Sequence, residues 1–151
     1  MTNYLFTEKA KSHLIKCEGF KDGFIGVHNY DSFIYLTKDL RLVKIIEVVK
    51  GNIEGVYEIY YKVSMLNQNK QIIFGQWRNK VFIKTVYDPQ FISDEDIEKW
   101  AREALENVRG FTRNNELAVQ GTAKNGQKFQ GWININTNEF ISYYPVINFE
   151  R

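Results

Sequence analysis

One amphipathic helix set between two stretches that alternate like strands restricts this chain to few folds. Ser93 offers an N-cap side chain, and Asp94, Glu95 and Asp96 follow on the first turn, where the positive end of the helix dipole favours acids. Ile97, Trp100, Ala101, Ala104, Leu105 and Val108 then recur at helical spacing, and Gly110 is expected to close the run. Before it, residues 42–49 and 56–65 are rich in Val, Ile and Tyr, with Gly51-Asn52 as the turn between them. Residues 72–86 are β-prone with an expected break or bulge near 75–79, and Tyr87-Asp88-Pro89 stops them. After the helix come strands over 117–123, 128–135 and 140–147, joined by the hairpin signal Asn125-Gly126 and a turn at 136–138. In the middle strand Phe129, Gly131, Ile133 and Ile135 share one face, and Trp132 takes the other.

The N-terminal third reads as helical. Thr7 caps a helix on which Ala10, Leu14 and Cys17 fall at helical spacing, with Gly19 ending it. Gly23 and Gly26 bracket a tight passage. Asn29 caps a second helix through about residue 40, with Tyr30, Phe33, Ile34 and Leu36 as its apolar face. Helices, strands, one long helix and more strands give an α+β class with antiparallel sheets, in one domain spanning residues 1–151.

Composition removes several alternatives. Hydrophobic residues make up 44% and charged residues 25%, which suits a folded core rather than a disordered chain. No apolar run approaches the roughly 20 residues of a membrane span, and residues 1–16 lack the apolar stretch of a secretory leader, so neither is expected. The single cysteine, Cys17, excludes an internal disulfide and a cysteine-rich zinc site. It reads as a small hydrophobe; a thiolate one helical turn from His13 is the alternative. A net charge of +2, spread evenly, is weaker than a duplex-binding protein carries.

No phosphate-binding glycine loop and no G-x-S-x-G nucleophile elbow is present. The three acids at 94–96 read as helix capping rather than as metal ligands. What remains are two histidines, His13 and His28, with glycines between them. Two imidazoles can act as general acid and general base, the pair that RNA phosphodiester cleavage requires; incidental surface or capping positions are the other reading. In the last strand, alternation places Phe140, Ser142 and Tyr144 on one face. A hydroxyl flanked by aromatics suits a nucleobase, which needs a stacking partner and an edge-reading group. A sheet face of aromatic cross-strand pairs explains the same residues.

The stretch His13-Leu14-Ile15-Lys16-Cys17-Glu18-Gly19, followed by Gly23-Phe24-Ile25-Gly26-Val27-His28-Asn29, resembles the paired histidine motifs of bacterial EndoU-type ribonucleases. These are C-terminal toxin domains of contact-dependent inhibition and related polymorphic toxins. Lys84-Thr85-Val86-Tyr87-Asp88-Pro89 before an acidic-capped helix is similar to a further segment of these domains. Gly131-Trp132 and Ile141-Ser142-Tyr143-Tyr144-Pro145 resemble their closing strands. The resemblance implies an EndoU / RNase A-like fold and a metal-independent endoribonuclease without cofactor, with His13, His28 and Tyr144 as catalytic residues. It implies Ser142 as the base-contacting hydroxyl; Phe140, from the alternation, and Lys84 join it as substrate-binding candidates. Lys84 is also the candidate for the lysine of animal and viral members, with the Tyr144 hydroxyl as its stand-in. Further implications are an RNA substrate, tRNA among them, a cognate immunity protein, no membrane association, a monomer, and delivery into the cytoplasm of a target cell. The rival is a non-catalytic protein-binding module, such as an immunity or adaptor protein, using the aromatic strand for contact. The separation of the imidazoles decides: beyond roughly 12 Å one phosphate cannot lie within hydrogen-bond reach of both.

Overall fold

The computed structural model describes residues 4–21, 23–36, 42–106, 108, 110–113 and 116–149. In chain order they form α1 (Glu8–Ile15), β1 (Cys17–Phe20), β2 (Phe24–Gly26), α2 (Tyr30–Leu36), β3 (Val43–Lys50), β4 (Val56–Leu66), β5 (Ile72–Trp77), β6 (Phe82–Tyr87), α3 (Asp94–Leu105), β7 (Phe111–Arg113), β8 (Glu116–Thr122), β9 (Lys128–Asn134) and β10 (Glu139–Val146). This is an α+β fold with antiparallel sheets. No helix among the described residues is long and apolar enough to cross a membrane.

The caps behave as their side chains dictate. The Thr7 hydroxyl accepts the Ala10 N–H, the Ser93 hydroxyl accepts the Asp96 N–H, and the Asn29 side chain accepts the Ser32 N–H. α3 ends at Leu105, short of Gly110; Val108 lies beyond the helix and still packs on the core. α2 reaches Leu36, and the rest of its expected span, 37–40, lies outside the described residues.

The strands build two main sheets. β4 pairs with β3 along one edge; on the other, Val56–Tyr61 pair with β6 and Ser64–Leu66 with β5. The β-prone stretch 72–86 is therefore broken where expected. The second sheet has the order β10-β9-β8-β7. α3 lays Ile97, Ala101, Ala104 and Leu105 on the inner face of this sheet, against Val119, Phe129, Ile133, Phe140 and Tyr143, with Ala10 and Leu14 of α1 in the same core. A second core joins Phe24, Val27 and Phe33 to Ile59, Tyr61, Val63, Phe82 and Val86. Ile135, expected to continue the inner face of β9, lies past the strand end and is exposed.

The chain leaves α1 earlier than helical spacing suggests. Cys17 begins β1 and pairs with Gly26, and Gly19 lies inside that strand. The carbonyls at the end of α1 are taken by residues further along: Val27 N–H donates to His13 O at 3.1 Å and Lys16 O at 3.0 Å, and His28 N–H donates to Leu14 O at 2.7 Å. A helix whose terminal acceptors are satisfied from outside can stop without a glycine cap.

Candidate active site

The same hydrogen bonds that end α1 bring the two histidines together. His13 stands on the last turn of α1, and His28 follows β2 directly. With residues 27 and 28 stitched to the end of α1, the ring centroids come to 6.4 Å, tilted by 38°. That is well inside the limit of about 12 Å for a shared phosphate. The His28 carbonyl accepts the Tyr87 N–H at 2.8 Å, so the segment is pinned to β6 as well. Asn29, Tyr87 and Asp94 close a side-chain network around that pin, with the Tyr87 hydroxyl donating to Asp94 Oδ1 at 2.5 Å.

His28 is buried, and its ring stacks face to face on Tyr144, centroids 4.6 Å apart and planes within 4°. Its Nδ1–H donates to the Thr85 carbonyl at 2.7 Å, which leaves the lone pair on Nε2. Burial pushes the His28 pKa well below its ordinary value of 6.5; the Lys84 ammonium and His13 push the same way, and the Thr85 carbonyl opposes them. The ring is therefore neutral at pH 7, the state of a base. Folding lowers this pKa, so below 6.5 the unfolded chain binds the proton more readily and stability falls with falling pH. The thermal midpoint of the wild type is expected to drop more steeply than that of His28→Gln as pH is lowered through this window. Equal slopes would contradict a His28 held neutral by its surroundings.

His13 is less enclosed, and its Nδ1 is held by the Glu18 carboxylate. The carboxylate accepts the Nδ1–H and so orients the ring. Glu18 was missed in sequence. On a helix through residue 19 it would not face His13; it does so only because the chain turns into β1.

Lys84 is buried beside His28. Its ammonium donates to the carbonyls of Phe24 at 2.6 Å and Gly26 at 2.9 Å, and burial pushes its pKa down to about 8. Two of its three donors are thus spent bracing the β1–β2 hairpin against β6.

β10 supplies the opposite wall. Ser142 and Tyr144 both line the cleft, and Gln130 donates to the Tyr144 hydroxyl at 2.9 Å. Phe140 does not join them, which corrects the expectation from alternation. The register slips between Phe140 and Ser142, with Ile141 as the extra residue, so Phe140 faces the core. It packs there against Tyr4 at 5.9 Å, Phe6 at 4.4 Å and Tyr143 at 5.8 Å. It is 2% exposed and cannot reach a base in the cleft. The N-terminal segment pairs at this point, with Leu5 N–H donating to Asn138 O and Phe140 N–H to Leu5 O.

His13, His28, Lys84, Ser142 and Tyr144, with Trp132, surround one open cleft of about 600 Å³. Two imidazoles with separate partners at Nδ1 thus line the same cleft as the hydroxyls of Ser142 and Tyr144. The chain belongs to the bacterial EndoU nuclease family, whose sequence profile matches residues 7–147. It is similar to two proteins named tRNA nuclease CdiA. One is from Yersinia mollaretii, 24% identical over 135 residues, covering 88% of this chain and 4% of that protein. The other is from Escherichia coli strain STEC_O31, 26% identical over 144 residues, covering 93% of this chain and 4% of that protein. The chain thus spans a small fraction of the length of these curated relatives.

Proposed function

We propose that this chain is an endoribonuclease that cleaves RNA by attack of the 2′-hydroxyl on the adjacent phosphate. The approach of two imidazoles to 6.4 Å in one cleft is the observation that carries the reading. Neutral His28 takes the 2′-hydroxyl proton at Nε2. The 2′-oxygen then bonds to phosphorus, and the 5′-oxygen departs with a proton from the His13 imidazolium. The products are a 2′,3′-cyclic phosphate and a 5′-hydroxyl. No metal is needed for this balance of protons and charge. Ser142 contacts the base, and Tyr144 stacks on His28 and donates to the phosphate as charge develops there.

The named activity of the relatives favours tRNA as substrate. They also favour a toxin domain delivered into the cytoplasm of another cell and neutralised by an immunity protein. Incubation of the chain with total tRNA and EDTA tests the reaction. Fragments ending in 2′,3′-cyclic phosphate and 5′-hydroxyl are expected; metal-dependent cleavage, or 5′-phosphate ends, contradict it. Tyr144→Phe keeps the stacked ring and removes the hydroxyl. It is expected to slow cleavage by at least about tenfold with RNA affinity unchanged, as for loss of one donor to a charged transition state. Unchanged rate and affinity would leave Tyr144 as packing for His28.

A further inference from the structure

A carboxylate stands in the wall of a cleft that the proposed reaction fills with phosphate. Among the described residues lining that cleft, Glu58 is the one acid. It lies on β4 opposite Thr85 of β6, and Tyr60 lies opposite Ile83. These four share one face of the first sheet, while Ile59, Tyr61, Phe82 and Val86 fill the core on the other. The Thr85 carbonyl holds His28. Glu58 therefore sits one strand spacing, about 4.8 Å, from a residue that touches the two-histidine centre.

The two-histidine chemistry does not use this side chain. Its charge repels RNA phosphates, and its cross-strand neighbours, Val49 and Thr85, are not basic. One carboxylate oxygen accepts the Tyr60 hydroxyl at 3.3 Å, a neutral donor that leaves the negative charge in place. Beside it on the cleft wall is Ile83, a large apolar side chain left 55% exposed. Ile83 is diagonal to Glu58 across the strand pair, at the roughly 7–8 Å of such neighbours. An apolar surface next to a hydrogen-bond acceptor, in a cleft of about 600 Å³, suits a nucleobase. Its ring lies on Ile83 and its edge turns an amino group to the carboxylate.

We propose that Glu58 is a specificity-determining residue, whose carboxylate accepts a hydrogen bond from the amino edge of a base next to the cleaved bond. The inference rests on the nuclease reading and deepens it. Cytosine, adenine and guanine each carry an exocyclic amino group that donates to a carboxylate. Uracil offers one ring N–H between two carbonyl oxygens, so a carboxylate that approaches it meets an acceptor on either side. The site therefore favours an amino-bearing base over uracil at this position.

Short oligodeoxynucleotides that carry a single ribose test this, because only the bond after that ribose has a 2′-hydroxyl to attack it. Cytosine and uracil, close in size, are exchanged at the ribose and, separately, at the nucleotide after it. At one of these two positions the wild type is expected to show a kcat/KM at least about fivefold higher for cytosine than for uracil. Glu58→Gln, whose amide can donate to the uracil oxygen, and Glu58→Ala are expected to bring that ratio to about 1 or below, with cleavage of the uracil substrate kept or raised. A wild type without preference for cytosine at either position overturns the proposal, as does a preference that survives both substitutions. An equal rise on every substrate also overturns it and would mark Glu58 as a group that repels phosphate. An equal fall on every substrate overturns it as well and would mark Glu58 as support for the centre. A wild type that cleaves none of these oligonucleotides overturns the nuclease reading itself, a result distinct from the others.

Discussion

His28→Ala is expected to lower RNA cleavage at pH 7 by at least about 100-fold, the usual scale for loss of a general acid or base. Burial and the Lys84 ammonium keep the His28 imidazole neutral, and its Nδ1–H is fixed by Thr85, so the lone pair lies on Nε2, the proton acceptor of the proposed reaction. Its removal also exposes one face of Tyr144 and leaves the Thr85 carbonyl without its donor. The stability cost is of the order of 1–3 kcal/mol, small enough for the chain to fold. Circular dichroism establishes the folded state and single-turnover cleavage gives the rate. A folded variant that cleaves at the wild-type rate would remove His28 from the chemistry.

Gly26→Ala is expected to disable the site without touching a reacting group. Gly26 sits at φ +74°, and a Cβ there would lie 2.6 Å from the His13 carbonyl oxygen and 2.7 Å from that of Lys16. Both obstacles are backbone, at the turns of α1 that Val27 and His28 cap, so relief requires the hairpin and the helix to part. A strained left-handed residue alone costs of order 1–3 kcal/mol. Adding the clash, a fall of at least about 5 °C in Tm is expected for a chain of this size. A shift of about 1 Å in catalytic geometry costs on the order of 100-fold, so kcat is expected to fall by at least about tenfold. Gly126→Ala is the control: φ is +93° there, but nothing lies within 4 Å of the added Cβ, and Gly126 does not line the cleft. It is expected to lose some Tm and no activity. Equal effects of the two substitutions would contradict a specific role for the close approach at Gly26.

Much of this fold was legible because its signals are local. Ser93 and its three acids, the Asn125-Gly126 turn and the alternation of β9 each need only neighbours in sequence to act. The parts that were not legible depend on partners far along the chain. Cys17 left its expected helix because Val27 and His28 supply the hydrogen bonds that end α1. Glu18 reached His13 only through the turn that follows. Phe140 left the cleft because one bulged residue, Ile141, inverts the alternation that Ser142 and Tyr144 obey beyond it, where Leu5 pairs against the strand. Lys84, a substrate-binding candidate in sequence, lines the cleft. Its ammonium partners, the carbonyls of Phe24 and Gly26, lie about sixty residues earlier, and no spacing in the sequence announces them.

Replacement of the scissile 5′-oxygen by sulfur tests the division of labour between the histidines most directly. A thiolate leaves without needing a proton, so the general acid becomes dispensable while the base does not. On this substrate His13→Ala is expected to regain most of the wild-type rate, and His28→Ala is expected to remain at least about 100-fold slow. Rescue of His28→Ala instead, or of neither variant, would contradict the assignment of His28 as base and His13 as acid.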